Sequence, residues 1–288
     1  MAQNCNRFYY RPVSSQDAVR PDVATAVTRL ATALQSRVPC APVRDLIGTE
    51  DLSAAYAVQR GLVHRRIGSG AAVVGRKIGA TSEAVQRQLG VDQPDFGYLL
   101  DDMDVSYGVD GTPISMRPLL QPRVEAEVAF RLAADLDPES EAEITLEAVR
   151  AAVEVALPAL EIVDSRIDRW DITFTDTVAD NASSGLYVVG REGRALAPGP
   201  QGLEPRDVEM TLSINGEVRS SGNGAACLGD PLEALRWLAV QCHRFGDPLR
   251  AGQIVLSGAL GPFVPFAAGD RVEASISGFA PLVARFVD

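Results

Sequence analysis

The sequence predicts an α+β fold: a β-rich core, rolled or barrel-like, with an N-terminal helical appendage. Long apolar repeats at helical spacing gather in the first seventy residues. Downstream, many short alternating or apolar runs are cut by Gly- and Pro-containing turns, with few helices among them. The expected division is a helical region over residues 1–69 and a β-rich catalytic domain over residues 70–288.

Taken in order, residues 14–36 carry Val23, Val27, Leu30, Ala33 and Leu34 on one helical face, and Pro39 and Pro42 end that region. Residues 51–67 form a second helix with the stripe Leu52, Ala55, Val58 and Leu62; Thr49 or Asp51 can cap it, and Gly68-Ser69-Gly70 breaks it. Residues 71–78 read as a strand bearing Lys77, followed by Gly79 and a short helix near 82–89. Residues 93–97, QPDFG, read as a turn or loop, and Asp101, Asp102 and Asp104 as solvated loop acids. A strand over 122–132, a helix near 146–152 and a strand through Glu161 follow. Residues 176–185 are small, polar and turn-rich; they form either a loop or a pocket lining. Strands are expected at 186–189, 208–214 and 217–220, with Asn215-Gly216 as a hairpin turn. Asp230 caps a helix that has Pro231 at its first position and runs to about Arg244. Residues 254–257, 271–276 and 282–286 are the final strands.

Composition narrows the function. The 288 residues are 46% hydrophobic and 23% charged, as in ordinary globular enzymes. No apolar run approaches the length of a membrane span. A net charge of −11 argues against nucleic acid and anionic membranes as partners. The N-terminus lacks the pattern of a secretory signal, and Cys5, Cys40, Cys227 and Cys242 have no framework spacing; both fit a reducing cytoplasm. Phosphate-binding glycine loops and the G-x-S-x-G elbow are absent. With only His64 and His243, a Ser-His-Asp triad or a His/Cys zinc site is disfavoured.

The strand PRVEAEVAFRL holds the sharpest signal. Val124, Ala126, Val128 and Phe130 fall on one face; Glu125 and Glu127 fall on the other, roughly 7 Å apart at Cα. Such a pair often faces water. Glu161, however, sits in the apolar run ALPALEIV, where a charge needs a partner. A divalent metal shared by Glu125, Glu127 and Glu161 would supply it. All-oxygen ligation favours Mg²⁺ or Mn²⁺. Among 27 lysines and arginines, Lys77 is the single lysine, and lysine, unlike arginine, can trade protons near neutral pH.

The blocks VVGRKIGATS, LGVDQPDFGYLLDDM, LQPRVEAEVAF, LPALEIVDSRI, DTVADNASSG and LSGALGP resemble, in order and spacing, the fumarylacetoacetate hydrolase superfamily. Within it the chain is most similar to the 2-keto-4-pentenoate (2-hydroxypenta-2,4-dienoate) hydratases of aromatic meta-cleavage catabolism. The likeness spans roughly residues 42–286. It implies the superfamily's rolled core, a metal on Glu125, Glu127 and Glu161, and a catalytic lysine at Lys77. One departure is Gly79-Ala80, where many relatives have Gly-Leu. The implied activity adds water to a 2-hydroxy-2,4-dienoate to give a 4-hydroxy-2-keto acid.

In that chemistry Lys77 moves protons, with a pKa lowered by partial burial and the metal, and Asp95 orients Lys77 or water. Asp180, Asn181 and Ser184 are candidate substrate contacts, and Ser257, Gly258, Ala259 and Leu260 offer backbone N–H groups to the substrate carboxylate. Asp164 and Arg166 read as a structural ion pair. Three alternatives remain open: a 4-oxalocrotonate-type decarboxylase, an acylpyruvate- or fumarylacetoacetate-type C–C hydrolase, and a non-catalytic partner subunit. The expected partners are a small 2-keto or 2-hydroxy acid, further copies of the chain in a homo-oligomer, and an associated pathway enzyme.

Overall fold

The structure is a computed structural model that describes residues 20–82, 86–87, 93–196 and 202–288. Most of the helix expected near 82–89, and the first residues of the one expected over 14–36, lie outside the described residues. The N-terminal region contains α1 (Pro21–Ser36), a short α2 (Arg44–Ile47) and α3 (Leu52–Gly68). Asp51 caps α3 by accepting from the Ala54 N–H at 2.9 Å. The short α2 was not expected. Its start is tied by the Val43 and Arg44 N–H groups donating to Asp176, far along the chain, which no local pattern signals.

A rolled sheet follows, made of β1 (Val73–Gly79), β2 (Asp95–Leu100), β4 (Arg123–Leu132), β5 (Val153–Val163), β6 (Ser184–Val189) and β9 (Ile254–Ala259), with the two-residue β10 (Val264–Pro265) paired to β4. The order is β2-β1-β9-β4-β5-β6; β1 and β9 run parallel and the other pairs antiparallel. The end strands β2 and β6 approach each other, which gives the sheet its curl. A second sheet of five strands has the order β3-β12-β11-β7-β8, with β3 Ile114–Ser115, β7 Glu209–Ile214, β8 Glu217–Asn223, β11 Arg271–Ile276 and β12 Leu282–Val287. Asn215 and Gly216, both at positive φ (53° and 87°), make the β7–β8 turn as expected.

The main core lies between the two sheets. Val124, Ala126, Val128 and Phe130 of β4 meet Met210, Leu212, Val272, Ala274 and Phe286 there, along with α4 (Leu146–Ala152) and α6 (Pro231–Arg244). Asp230 accepts from the Leu232 N–H and Pro231 opens α6, as the sequence indicates.

One expectation is corrected and one refined. Residues 95–97 are not a turn: Asp95 begins β2, opposite Gly79 of β1. The local Pro-Asp and Gly signals yield to sheet pairing, and Gly97 is there because a Cβ would lie 2.5 Å from the Asn181 carbonyl oxygen. Residues 176–185 do line pockets, as the second of the two expected readings has it, but they are not all loop. They include most of α5 (Phe174–Ala179), whose Asp176 reaches back to the Thr173 N–H at 2.9 Å, then a single tight turn, then β6.

Candidate active site

Strand β4 is buried on both faces from Val124 to Phe130, and Glu125 and Glu127 lie in the interior instead of facing water. Glu125 stands directly opposite Glu161 on β5. Like charges facing each other across strands repel unless a cation intervenes. Glu125, Glu127, Glu161, Lys77 and Asp95 are each no more than 4% exposed.

Lys77 projects from β1, and its Nζ lies 3.0 Å from Glu161 Oε1, in ion-pair contact but off the line of a hydrogen bond. Strands β9 and β4 stand between β1 and β5. In a flat sheet three strand spacings are roughly 14 Å; the curl of the sheet is what lets these side chains meet. Glu127 Oε2 accepts the Gly258 N–H at 2.6 Å. Gly258 is at φ +110°, and a Cβ there would lie 2.1 Å from Thr81 Oγ1. Asp95 accepts from Thr177 Oγ1 at 3.3 Å, and Thr177 in turn meets Ser183 Oγ at 3.2 Å.

The electrostatics follow from burial. Desolvation first, and then the Glu161 charge, push Glu125 up to about 8, with Lys77 pulling the other way. Glu127 is raised well above the usual carboxylate range by burial, Glu161 and Glu125. Burial also raises Asp95, against the pull of Lys77. For Lys77, burial works against the ammonium, but Glu161, Asp95, Glu125 and Glu127 outweigh it and the net shift is upward. With the carboxylates alone around it, the amine is held as a cation, opposite to the direction expected for it beside a bound metal.

These residues fit a divalent cation. One oxygen from each of Glu125, Glu127 and Glu161 lies within 4.8 Å of the others. Glu127 Oε1 and Glu161 Oε2 are buried without a hydrogen-bonding partner, a costly arrangement that a cation would relieve. A donor set made only of carboxylate oxygen suits a hard ion.

Beside the carboxylates is a cavity of about 20 Å³, lined by the polar or small Lys77, Gly79, Asp95, Glu125, Thr177 and Ser183 and by the apolar Val163, Trp170 and Phe263. A larger cavity of about 720 Å³ runs between α1, α3 and the 181–185 segment and includes none of the three glutamates or Lys77. Lys77, Asp95 and Glu125 line the smaller one. Gly79 is required there, since a Cβ would lie 2.1 Å from Asp95 Oδ1.

Other expected site residues are buried nearby but committed to protein partners. Asn181 donates to the Tyr98 carbonyl at 2.9 Å and accepts the Tyr98 N–H at 2.8 Å. Ser184 Oγ donates to the Asn181 carbonyl at 2.8 Å. Asp180 is held by Arg166, whose Nε donates to it at 2.6 Å; burial, opposed by Arg166, leaves Asp180 at about 6. The Asp164–Arg166 ion pair is thus corrected. Arg166 pairs with Asp180, while Asp164 accepts the Leu120 and Gln121 N–H groups. Of the expected backbone donors, the Gly258 N–H goes to Glu127 and the Leu260 N–H to the Ala126 carbonyl, so neither is free for a substrate carboxylate. Ser257 keeps a buried Oγ without a partner, and Ala259 pairs with Glu127 in the ladder. Sequence reasoning missed Thr177, Ser183, Trp170 and Phe263. The first two lie inside the DTVADNASSG block, but nothing local marks which of its hydroxyls point at Asp95.

Fold and carboxylate cradle together define a family of metal-dependent enzymes on a rolled sheet. Residues 72–287 match the fumarylacetoacetate (FAA) hydrolase C-terminal family, and the chain belongs to it. Among individual proteins, it is 51% identical to the 2-keto-4-pentenoate hydratase of Paraburkholderia xenovorans strain LB400 over 261 residues, 91% of this chain and 93% of that one. It is 49% identical to the TodF product hydratase of Pseudomonas putida strain F1 over 264 residues, 92% of this chain and 95% of that one. The solved 4-oxalocrotonate decarboxylase from Pseudomonas putida G7, complexed with magnesium and adipate, superposes with a TM-score of 0.82 at 28% identity, covering 96% of this chain and 100% of that one.

Proposed function

We propose that the protein is a 2-keto-4-pentenoate hydratase-type lyase, which converts a 2-hydroxy-2,4-dienoate and water to a 4-hydroxy-2-keto acid in meta-cleavage catabolism of aromatic compounds. The observation that carries the reading is the lone lysine held 3.0 Å from Glu161, within a cradle of three buried glutamates. The relatives named hydratase, aligned over nine-tenths of the chain, support the substrate class.

Glu125, Glu127 and Glu161 would hold Mg²⁺ or Mn²⁺, which supplies Lewis-acid stabilisation of negative charge on the substrate's 2-oxygen. Lys77, set in ion-pair contact with Glu161, enters the cycle as proton donor. Proton delivery to C5 of the dienol, with loss of the 2-hydroxyl proton, gives an α,β-unsaturated ketone. Water then adds its oxygen to C4 while C3 gains a proton, and the sum is one water consumed. Asp95, buried and facing the same cavity, orients Lys77 or the incoming water, steadied by Thr177. Asp180, Asn181 and Ser184 serve by holding the wall of the cavity. The wider reading includes a cytoplasmic homo-oligomer that associates with a pathway enzyme; the net charge of −11 and the free Cys40, Cys227 and Cys242 suit it.

The test is to mix purified protein, Mg²⁺ and freshly generated 2-hydroxypenta-2,4-dienoate. Loss of dienol absorbance with formation of the hydroxy-keto acid is the expected outcome; no product with metal present sinks the reading. A second reading, decarboxylation of a 2-keto-3-enedioate, is favoured by the structural match to the decarboxylase. CO₂ release from the dicarboxylic analogue, without hydration of the dienoate, would select it. The C–C hydrolase reading would need a histidine to activate water, and His64 is exposed on α3, away from the cavity lining.

A further inference from the structure

Arg123 is two residues before Glu125 on β4 and therefore on the same face of the strand, roughly 7 Å along it. Across the sheet it stands opposite Val163, a cavity-lining residue. Its guanidinium lies 4.4 Å from the centre of the Trp170 ring and 5.0 Å from that of Phe263. Both rings line the cavity that contains Lys77, Asp95 and Glu125. Among the described residues, Arg123 has no carboxylate partner. By contrast Arg44, Arg76, Arg150 and Arg166, none of them more than a third exposed, all hold acids.

The rings are built in place. Trp170 Nε1 donates to the Gln121 carbonyl at 3.0 Å, and the Arg169 N–H donates to Gln121 Oε1 at 2.7 Å. Gln121 Nε2 in turn donates to the Ile167 carbonyl at 2.8 Å, so one side chain fastens the 167–170 loop to the start of β4. Arg169 and Trp170 are both at positive φ (54° and 56°), a conformation these bonds sustain. The result is a guanidinium within cation–π reach of two rings that line the cavity, with no carboxylate partner among the described residues.

Charge says what partner would suit it. Three glutamates and Asp95, set against Lys77 and one divalent ion, leave the pocket formally negative. An anionic substrate entering it needs one more cation. We propose that Arg123 is a substrate-recognition residue that receives the carboxylate of the 2-keto acid. This rests on the reading that the cavity takes such acids, but not on which reaction they undergo.

Calorimetry of the Mg²⁺-loaded protein with pyruvate, the minimal 2-keto monocarboxylate, tests it, with 2-oxoadipate as the dicarboxylic comparison. Arg123→Met should weaken pyruvate binding by about tenfold to a hundredfold, with Mg²⁺ affinity and circular dichroism unchanged. Arg123→Lys, which keeps the charge but not the flat fork, should fall between. In turnover the effect should appear mainly in KM. Unchanged pyruvate affinity in Arg123→Met overturns the proposal. So does a loss confined to 2-oxoadipate, which would assign the residue to the far end of a diacid. A wild-type protein that binds pyruvate through Arg123 yet does not hydrate the dienoate would fail only the hydratase reading.

Discussion

Lys77 and the glutamates around it make opposite demands on one small volume. The amine is stabilised as a cation by carboxylates that are themselves poorly tolerated as anions. Lys77→Ala should abolish turnover while Mg²⁺ still binds by calorimetry; near-wild-type turnover would remove Lys77 from the mechanism. Glu125→Ala should lose the metal as well as turnover, and unchanged Mg²⁺ affinity by calorimetry would remove Glu125 from the metal site. The same environment predicts a pH dependence. Glu125 is held at about 8 in the folded protein, above its usual value near 4.5, and Glu127 is shifted in the same direction. Below the unfolded value both states keep the proton and the native state bears no penalty. As pH climbs toward the folded value, the unfolded chain ionises first and gains on the native state. Metal-free protein should therefore lose thermal stability between about pH 5 and 8. Saturating Mg²⁺ should suppress that loss in a denaturation series; a flat metal-free profile would contradict the assigned burial.

At the scale of elements, the site depends on one tight turn between α5 and β6. Asn181, Ala182 and Ser183 all have positive φ, between 51° and 54°, without a glycine among them. Arg166 holds this turn. Its guanidinium reaches Asp180 and the carbonyls of Asp164 and Ser184, the last two at 2.6 Å. Arg166→Met leaves Asp180 buried and unpaired, and should cost about 3–5 kcal/mol of stability. Chemical denaturation measures this; a cost under about 1 kcal/mol, as for an exposed pair, would show that the turn stands without its clamp. The turn also marks the limit of what the residues alone could tell. The cluster of three glutamates was legible because strand periodicity puts Glu125 and Glu127 on one side and an apolar run isolates Glu161. Most strands and the long helices were legible from alternation and capping. The left-handed turn was not, because Asn-Ala-Ser carries no glycine signal and its conformation is imposed by an arginine on another segment. For the same reason residues 95–97 carry turn signals although they open β2: their pairing with β1 is tertiary, and Gly97 answers to Asn181, not to its neighbours.

For the whole molecule, the active centre is assembled from β1, β4 and β5, with further walls from β2, α5 and the loop after β9. No contiguous fragment contains it. Binding that requires the assembled cradle should therefore report on global folding: Mg²⁺ at about a hundredfold above its Kd should add about 2.7 kcal/mol of stability. A melting series against Mg²⁺ concentration checks this, and Glu161→Gln should remove most of the gain. No helix among the described residues is long and apolar enough to cross a membrane.

Gln59, wholly buried on α3, donates through its Nε2 to the Phe96 carbonyl at 2.8 Å and the Val178 carbonyl at 3.0 Å. Those two carbonyls adjoin Asp95 and Thr177, the pair that braces the far wall of the catalytic hollow. A polypeptide begun at residue 70 would retain each group assigned to the reaction and yet lose this rivet, together with the packing of Val58 and Ala54 around Val178 and Ala179. The opening helices are thus the buttress against which the reacting wall is pressed, and trimming them should disable the catalyst without touching any atom that meets its substrate.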